Sequence, residues 1–235
     1  MKFYVEPSPA GGYWVRLEGN PAPISRHDTE EEAVSRAAAY ARGSGGTTEE
    51  AQLRDGSRVL VRPIRPEDKG LLADGFAHLS DESRYRRFLG FKKQLAVDEL
   101  AYLTEVDHRD HEALFAIDPA TGDAVGVARF VRLQSRPHLA EAAVVIADEW
   151  QGRGLGTALV KRLAERAREE GITAFTATVL TSNRHMLDVF ARVGEVRVTG
   201  REGPTEEVEV MLPTEPEPLR EALRATAIDP PGGGG

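Results

Sequence analysis

The sequence predicts an α/β (α+β) protein built on a mixed central sheet with flanking helices. Three observations predict it. Between Ser57 and Leu212, short apolar or β-branched runs alternate with amphipathic helical segments. One apolar strand, ending near Ala147, leads through a glycine-rich turn directly into a long helix. An N-terminal stretch with its own hairpin and helix signals is set apart by Arg42-Gly43-Ser44-Gly45-Gly46-Thr47-Thr48, a small, polar segment of linker composition.

Composition bounds the answer further. The chain has 235 residues, of which 40% are hydrophobic and 29% charged. That suffices for one large domain with a real core plus a small appendage. The net charge of −8 argues against a general nucleic-acid binder. With no cysteine, disulfides, thiolate metal sites and cysteine nucleophiles are excluded together. No N-terminal segment is both basic and apolar, and no run approaches the ~20 apolar residues of a membrane helix. The expectation is a soluble, cytoplasmic protein with no membrane or nucleic-acid partner. The sequence leaves the oligomeric state open.

The elements follow in order. Lys2–Glu6 and Tyr13–Leu17 are β-prone runs around the turn Pro7-Ser8-Pro9-Ala10-Gly11-Gly12. Asp28-Thr29-Glu30-Glu31-Glu32 supplies a cap and an acidic first turn for a helix with Ala33, Val34, Ala37, Ala38 and Ala41 on one face. Residues 1–43 therefore read as a ββα unit, too small to be stable alone, followed by a linker over 44–56. Ser57–Ile64 reads as a strand, and Pro66-Glu67-Asp68 opens a helix reaching about His78. Helices over Asp81–Leu89 and Val97–Glu105 come next, then a hairpin of Glu112–Asp118 and Ala124–Leu133. Leu139–Ala147 is a strand, apolar except for Glu141 near its start. A helix from about Gly154 to Glu170 stops at Gly171. Thr173–Leu180 is a strand, Asn183–Val193 a helix, and Val196–Thr199 with Glu207–Leu212 a closing hairpin. The main domain thus spans 57–212. The Pro- and Glu-rich residues 213–235 read as a tail with one short helix around 217–226 and a disordered end.

The turn Gln151-Gly152-Arg153-Gly154-Leu155-Gly156-Thr157 carries the chemistry. Glycines let successive backbone N–H groups converge, and the helix N-terminus adds partial positive charge, so an anion such as phosphate belongs there. A Walker loop would need Gly-Lys-Ser/Thr, which is absent. A dinucleotide fingerprint would need a third glycine where Thr157 or Leu159 stands.

The stretch Gln151-Gly152-Arg153-Gly154-Leu155-Gly156 resembles the Q/R-x-x-G-x-G/A hallmark of the GNAT acetyltransferase superfamily, and it sits correctly between a strand and a helix. The resemblance covers roughly residues 57–212 and implies the GNAT fold, with its sheet splayed at the acetyl-CoA site. It further implies that the amides of Gly152–Thr157 bind the acetyl-CoA pyrophosphate, while Val144, Val145 and Ile146 align the pantetheine arm. Asn183 matches the family asparagine near the cofactor. A narrower resemblance, to bacterial Pat-type protein lysine acetyltransferases, rests on Ser83-Arg84-Tyr85-Arg86-Arg87-Phe88, Val106-Asp107-His108-Arg109-Asp110-His111, Ala128-Arg129-Phe130-Val131 and Ala140-Glu141. It implies Glu141 as general base and, as acceptor, a lysine on a protein of the acyl-CoA synthetase class or a related one. The cyclic-nucleotide domain and the CoA-ligase-like region of some Pat-type enzymes have no counterpart in this sequence. Its N-terminal Tyr13-Trp14-Val15-Arg16-Leu17-Glu18-Gly19 and His27-Asp28-Thr29-Glu30-Glu31-Glu32-Ala33 resemble instead a small bacterial domain of unassigned function.

Elementary chemistry supports a base at this place. A protonated amine, pKa ~10.4, must lose a proton before it attacks a thioester. A carboxylate on an apolar strand is expected to be buried, and burial raises its pKa from ~4.3 toward a useful value. The alternative is an ion pair with Arg129 on the neighbouring strand. Transfer is expected to be direct, since no cysteine or activated serine is evident. A family tyrosine that protonates the leaving thiolate has Phe190 in its slot. Isolated His138 and His185 suggest no metal site. Arg84, Arg86, Arg87, Lys92 and Lys93 are expected either to meet CoA phosphates or a partner, or to form a solvated, ion-paired face. A small amine or a protein N-terminus is the rival acceptor, and an acyl-CoA-binding module without catalysis is the rival class.

Overall fold

A computed structural model describes residues 3–9, 11–17, 23–34, 37 and 48–213. The N-terminal unit is a three-stranded antiparallel sheet: β1 (Phe3–Pro7), β2 (Tyr13–Leu17) and β3 (Pro23–His27). The third strand corrects the ββα reading. It carries one β-branched residue, Ile24, among proline and polar residues, so its β signal is weak, and only pairing with β2 reveals it. Helix follows from Glu30. Its cap is a reciprocal box in which the Glu32 amide donates to Thr29 Oγ1 at 3.2 Å and the Thr29 amide to the Glu32 carboxylate at 3.4 Å. The rest of that helix, most of the linker signal and the tail from 214 onward lie outside the described residues.

An eight-stranded sheet forms the main body, in the order β10-β11-β9-β8-β7-β6-β5-β4. Its strands are β4 (Glu49–Gln52), β5 (Arg58–Pro63), β6 (His111–Ile117), β7 (Ala124–Leu133), β8 (Arg136–Ile146), β9 (Ala174–Leu180), β10 (Glu195–Glu202) and β11 (Thr205–Met211). The helices are α1 (Lys69–Ala77), α2 (Asp81–Phe88), α3 (Val97–Thr104), α4 (Leu155–Glu169) and α5 (Arg184–Ala191). All neighbouring strands are antiparallel except β8 and β9. The 44–56 linker reading is corrected by β4, which joins the sheet edge. Glu-Glu-Ala-Gln has little β propensity, so tertiary contacts impose the strand. Arg162 on α4 reaches Glu49 at 2.6 Å, Arg58 reaches Glu50 at 3.1 Å, and Ala51 packs on the core.

Two apolar layers sandwich the sheet, as the strand period dictates. Leu114, Ala128, Phe130 and Ala142 pack with Leu155, Leu159 and Leu163 of α4 on one face. Phe115, Val127 and Val145 pack with Leu72 and Leu103 of α1 and α3 on the other. Glu112 is 1% exposed on β6 yet fully engaged: it pairs with His108 at 2.7 Å, accepts from Arg166 of α4 at 3.2 Å and from the Ala113 amide. Breaking one partner of such a buried network costs about 3–5 kcal/mol. Strand β8 thus lies between two helical layers.

Candidate active site

Strands β8 and β9 are paired only over Leu139–Glu141 and Ala174–Thr176. Beyond Glu141, β8 continues with β7 alone to Ile146, while β9 stays with β11. The sheet therefore splits, and the edge of Ala142–Ile146 facing β9 has no strand to bond. Buried peptide groups must find partners, so this edge is a template for an extended chain bearing amides. Glu141, opposite Thr176, stands at the closed end of the wedge. At a rise of about 3.3 Å per residue, the stretch from Glu141 to Ile146 is ~17 Å long.

At the open end the chain passes through Asp148–Trp150 into the glycine turn. Gly152 and Gly154 adopt φ of +74° and +96°, a region L side chains rarely enter. Gly154 is the N-cap of α4, so the first-turn amides of Leu155, Gly156 and Thr157 have no carbonyl of their own helix to bond. Free amides at a helix start suit an anion, and these stand at the mouth of the wedge. A cleft of about 420 Å³ connects the two ends. Glu141, Val144, Val145, Ile146, Gln151, Gly152, Gly154, Gly156, Thr157 and Asn183 all line it, joined by Ala177 and Val179 from β9.

Two residues of the motif do not face this cleft. Leu155 is buried in the core under α4, and its contribution is its backbone alone. The Arg153 side chain lies over the Trp150 ring at 4.8 Å and pairs with Asp55 at 3.5 Å, outside the cleft lining. Gln151 braces the site: its Nε2 donates to Ser83 Oγ and to the Ile146 carbonyl, each at 3.1 Å. Asn183 caps α5, its Oδ1 accepting from the Met186 amide at 3.2 Å. Phe190 is fully buried and presents no hydroxyl.

The electrostatics differ from the sequence expectation at Glu141. Its side chain is exposed to the open cleft, so the burial that the apolar strand suggested is absent. The reason is the split itself, which uncovers a position that a continuous sheet would enclose. Nor does it pair with Arg129, which faces Ala143 in the register. Arg129 is 6% exposed, donating to the Leu103 carbonyl at 3.1 Å and lying 3.1 Å from His111 Nε2. Arg87, half-buried on α2, borders the cleft near Glu141. Burial pulls the Arg87 guanidinium below its ordinary value, while the charge of Glu141 opposes that shift. The remaining basic residues of that segment divide: Arg84 pairs with Asp81, Arg86 with Glu82 and Lys92 with Glu99.

Residues missed in the sequence also border the cleft. Arg54, from the turn after β4, places its side chain 3.4 Å from where a Cβ on Gly154 would stand, and its amide bonds the Arg153 carbonyl at 3.2 Å. No local pattern marked it, because it belongs to the segment read as linker. His185, Asp188 and Arg192 line the α5 side. Among the described residues no His/Asp/Glu group is arranged to hold a metal ion, and no helix is long and apolar enough to cross a membrane.

The glycine turn lies within residues 78–194, which match the family described as Acetyltransferase (GNAT) family. An acetyltransferase of Pseudomonas aeruginosa is 32% identical over 180 residues, covering 76% of this chain and 94% of that protein. The chain belongs to the GNAT acetyltransferase family. It is thus an acyltransferase with the splayed sheet of that fold. Acetyltransferase Pat of Mycolicibacterium smegmatis is 36% identical over 180 residues, covering 74% of this chain; the chain spans 54% of that relative's length. The GNAT domain of PAT from S. lividans superposes with a TM-score of 0.65 at 31% identity, over 70% of this chain and 96% of that one. Residues 3–49 match a bacterial family described as uncharacterized, DUF2188, which accounts for the separate N-terminal sheet. This GNAT chain therefore joins a Pat-like acetyltransferase domain to a different N-terminal unit.

Proposed function

We propose that the protein transfers the acetyl group of acetyl-CoA directly to the side-chain amine of a lysine on a protein substrate, with Glu141 as general base. The observation that carries this reading is the position of Glu141 at the closed end of the wedge, exposed to the cleft, with ~17 Å of strand running from it to Ile146 and the glycine turn lying beyond. The donor set fits acetyl-CoA chemically. Converging amides and the α4 N-terminus suit a pyrophosphate, and the unpaired β8 edge suits the two amides of pantetheine. Acetyl-CoA supplies an activated acyl group.

The chain's own residues do the rest. Gly152, Gly154, Gly156 and Thr157 fix the anionic end through backbone amides, and Ala142–Ile146 hold the arm extended. A backbone N–H of Val144–Ile146 stabilises negative charge developing on the thioester oxygen. Glu141 accepts a proton from the attacking amine, directly or through water. Because Glu141 is exposed in the cleft, substrate must exclude water around it for its basicity to count. A good thiol leaving group makes a dedicated acid dispensable, consistent with Phe190. The Pat-type relatives support a protein lysine as acceptor, and an acyl-CoA synthetase is the protein class that this resemblance implies.

The test is a bacterial proteome incubated with the protein and labelled acetyl-CoA, followed by mapping of labelled sites. Label confined to a few lysines is expected. Turnover on small amines only, with no protein labelled, would overturn the protein-lysine reading.

A further inference from the structure

Beside the cleft, on the α1–α3 face of the sheet, lies a second cavity of about 50 Å³. Its lining is apolar, including Phe76, Leu103 and Val127, except for two side chains: Arg87 and Arg129. It shares Arg87, Phe88, Ala143 and Val145 with the main cleft, so the two spaces meet along β8, two to four residues past Glu141. Ala143, with its small side chain, lines both spaces.

The two guanidiniums are unequally balanced: the charge of Glu141 acts on Arg87, while no carboxylate is among the groups acting on Arg129. Neither makes an ion pair with a carboxylate among the described residues; Arg129 bonds only a carbonyl and lies against a neutral ring nitrogen of His111, and Arg87 lies against the Phe88 ring. Burial pushes Arg129 down to about 9, and the charge of Arg87 adds to that shift. Arg129 remains charged at neutral pH, and the charge of Arg87 acts on it beside a cavity otherwise lined by apolar side chains. Buried like charges are costly unless something of opposite sign completes them. The cavity has room for roughly four water-sized groups, taking 10–15 Å³ for each. A long acyl chain does not fit that space, whereas a two- or three-carbon segment ending in a carboxylate does.

We infer that Arg87 and Arg129 form a receptor for a terminal carboxylate on the acyl group, so that the protein accepts, beside acetyl-CoA, the CoA thioester of a short dicarboxylic acid of the succinyl type. This deepens the proposed function and rests on it for the placement of the acyl group at Glu141. Charged, forked donors suit a carboxylate bidentately, and a site built for such a group discriminates strongly against an isostere that lacks it. The transfer balances as before. The lysine nitrogen bonds to the thioester carbon, the C–S bond breaks, the amine proton passes to Glu141, and CoA leaves as thiolate, which takes a proton from water; the distal carboxylate does not react.

Equilibrium binding separates this inference from the catalytic reading. Calorimetric titration of the full chain, without acceptor, compares succinyl-CoA with butyryl-CoA, which has the same chain length without the charge. Succinyl-CoA is expected to bind tenfold or more tightly, and Arg87→Met is expected to remove most of that difference. Arg129→Lys, which keeps a charge but loses the fork, should weaken it several-fold if the variant melts like the parent. Equal affinity for the two thioesters in the parent protein would overturn the inference, including the case in which carboxylate-bearing acceptors are preferred instead. A succinyl preference in binding with no acyl transfer to any amine would overturn the proposed function and leave the receptor standing.

Discussion

The Ser80 amide and hydroxyl both donate to the carboxylate of Asp148, at 2.8 and 2.7 Å. The Ser83 hydroxyl adds a third bond at 2.7 Å. Ser80 is itself the N-cap of α2, accepting from the Ser83 amide. One carboxylate thus clamps the start of α2 to the loop that delivers the chain into the glycine turn. Gln151 doubles the clamp through Ser83 and Ile146. The glycine turn is therefore tied to α2 through Asp148, Gln151 and the two serines.

Removing the clamp should loosen the site more than the fold. Asp148→Ala leaves Ser80 as a cap but strips three hydrogen bonds from a largely solvated carboxylate, a loss of about 1–2 kcal/mol. Thermal unfolding should fall by a few degrees, while the Kd for acetyl-CoA rises several-fold. Unchanged cofactor binding would show that the glycine turn holds its shape without Asp148.

Glu141→Gln tests the base. The amide keeps the size of the side chain and cannot take a proton, so turnover should drop about 100-fold or more while the Kd for acetyl-CoA stays near that of the parent. Stability should barely change, because the side chain is exposed. Loss of binding and turnover in equal measure would assign Glu141 to holding the donor.

The glycines of the turn should not be equivalent. Gly154 has φ +96°, a conformation strained for any L side chain even though an added Cβ would meet only the Arg54 side chain, at 3.4 Å. Gly154→Ala should cost about 1–2 kcal/mol in stability and weaken acetyl-CoA binding strongly. Gly156 has ordinary helical backbone, and its Cβ would meet Ile146 and Val189 at 3.7 Å, normal contact. Gly156→Ala should therefore fold and bind nearly as the parent does. Melting curves and acetyl-CoA titrations of the two variants decide it.

What could be read from the sequence was what is local. The glycine turn, its strand and its helix are contiguous, so spacing alone placed them. Asn183 was legible for the same reason, as a cap before a helix. The burial of Glu141 was misjudged because alternation along a strand reports the faces of a sheet and says nothing of where its neighbour departs. That departure is set by β9 after Thr176, a long-range event. Arg87 and Arg129 come from different elements and meet only through packing. A guanidinium inside the apolar run Val125–Val131 was nonetheless a signal that something unusual is buried there. Strand β4 was illegible because its own residues do not favour a strand, and β5 and Arg162 impose it.

His111 ties the same region to pH. Burial pulls its imidazole from 6.5 down to about 4, and the positive charge of Arg129 adds to the shift, with Asp107 and Glu112 opposing. Because the folded value lies below the unfolded one, the unfolded chain binds more protons between the two. Stability therefore rises with pH across that window, and is lost as pH falls from about 6.5 to 4, by at most about 1.4 kcal/mol per pH unit. Below that, a different group takes over. Burial works to raise Asp148, but its bonds from Ser80 and Ser83 outweigh it and hold the carboxyl below its usual 3.8. Its contribution is present above 3.8 and disappears as pH falls through the lower folded value. Urea unfolding measured from pH 3 to pH 7 should show two ramps. His111→Gln, which retains an oxygen for Arg129 to bond, should flatten the ramp above pH 4 and leave the one below it. The same slope between pH 4 and 6.5 in both proteins would mean that His111 is not the group that titrates there.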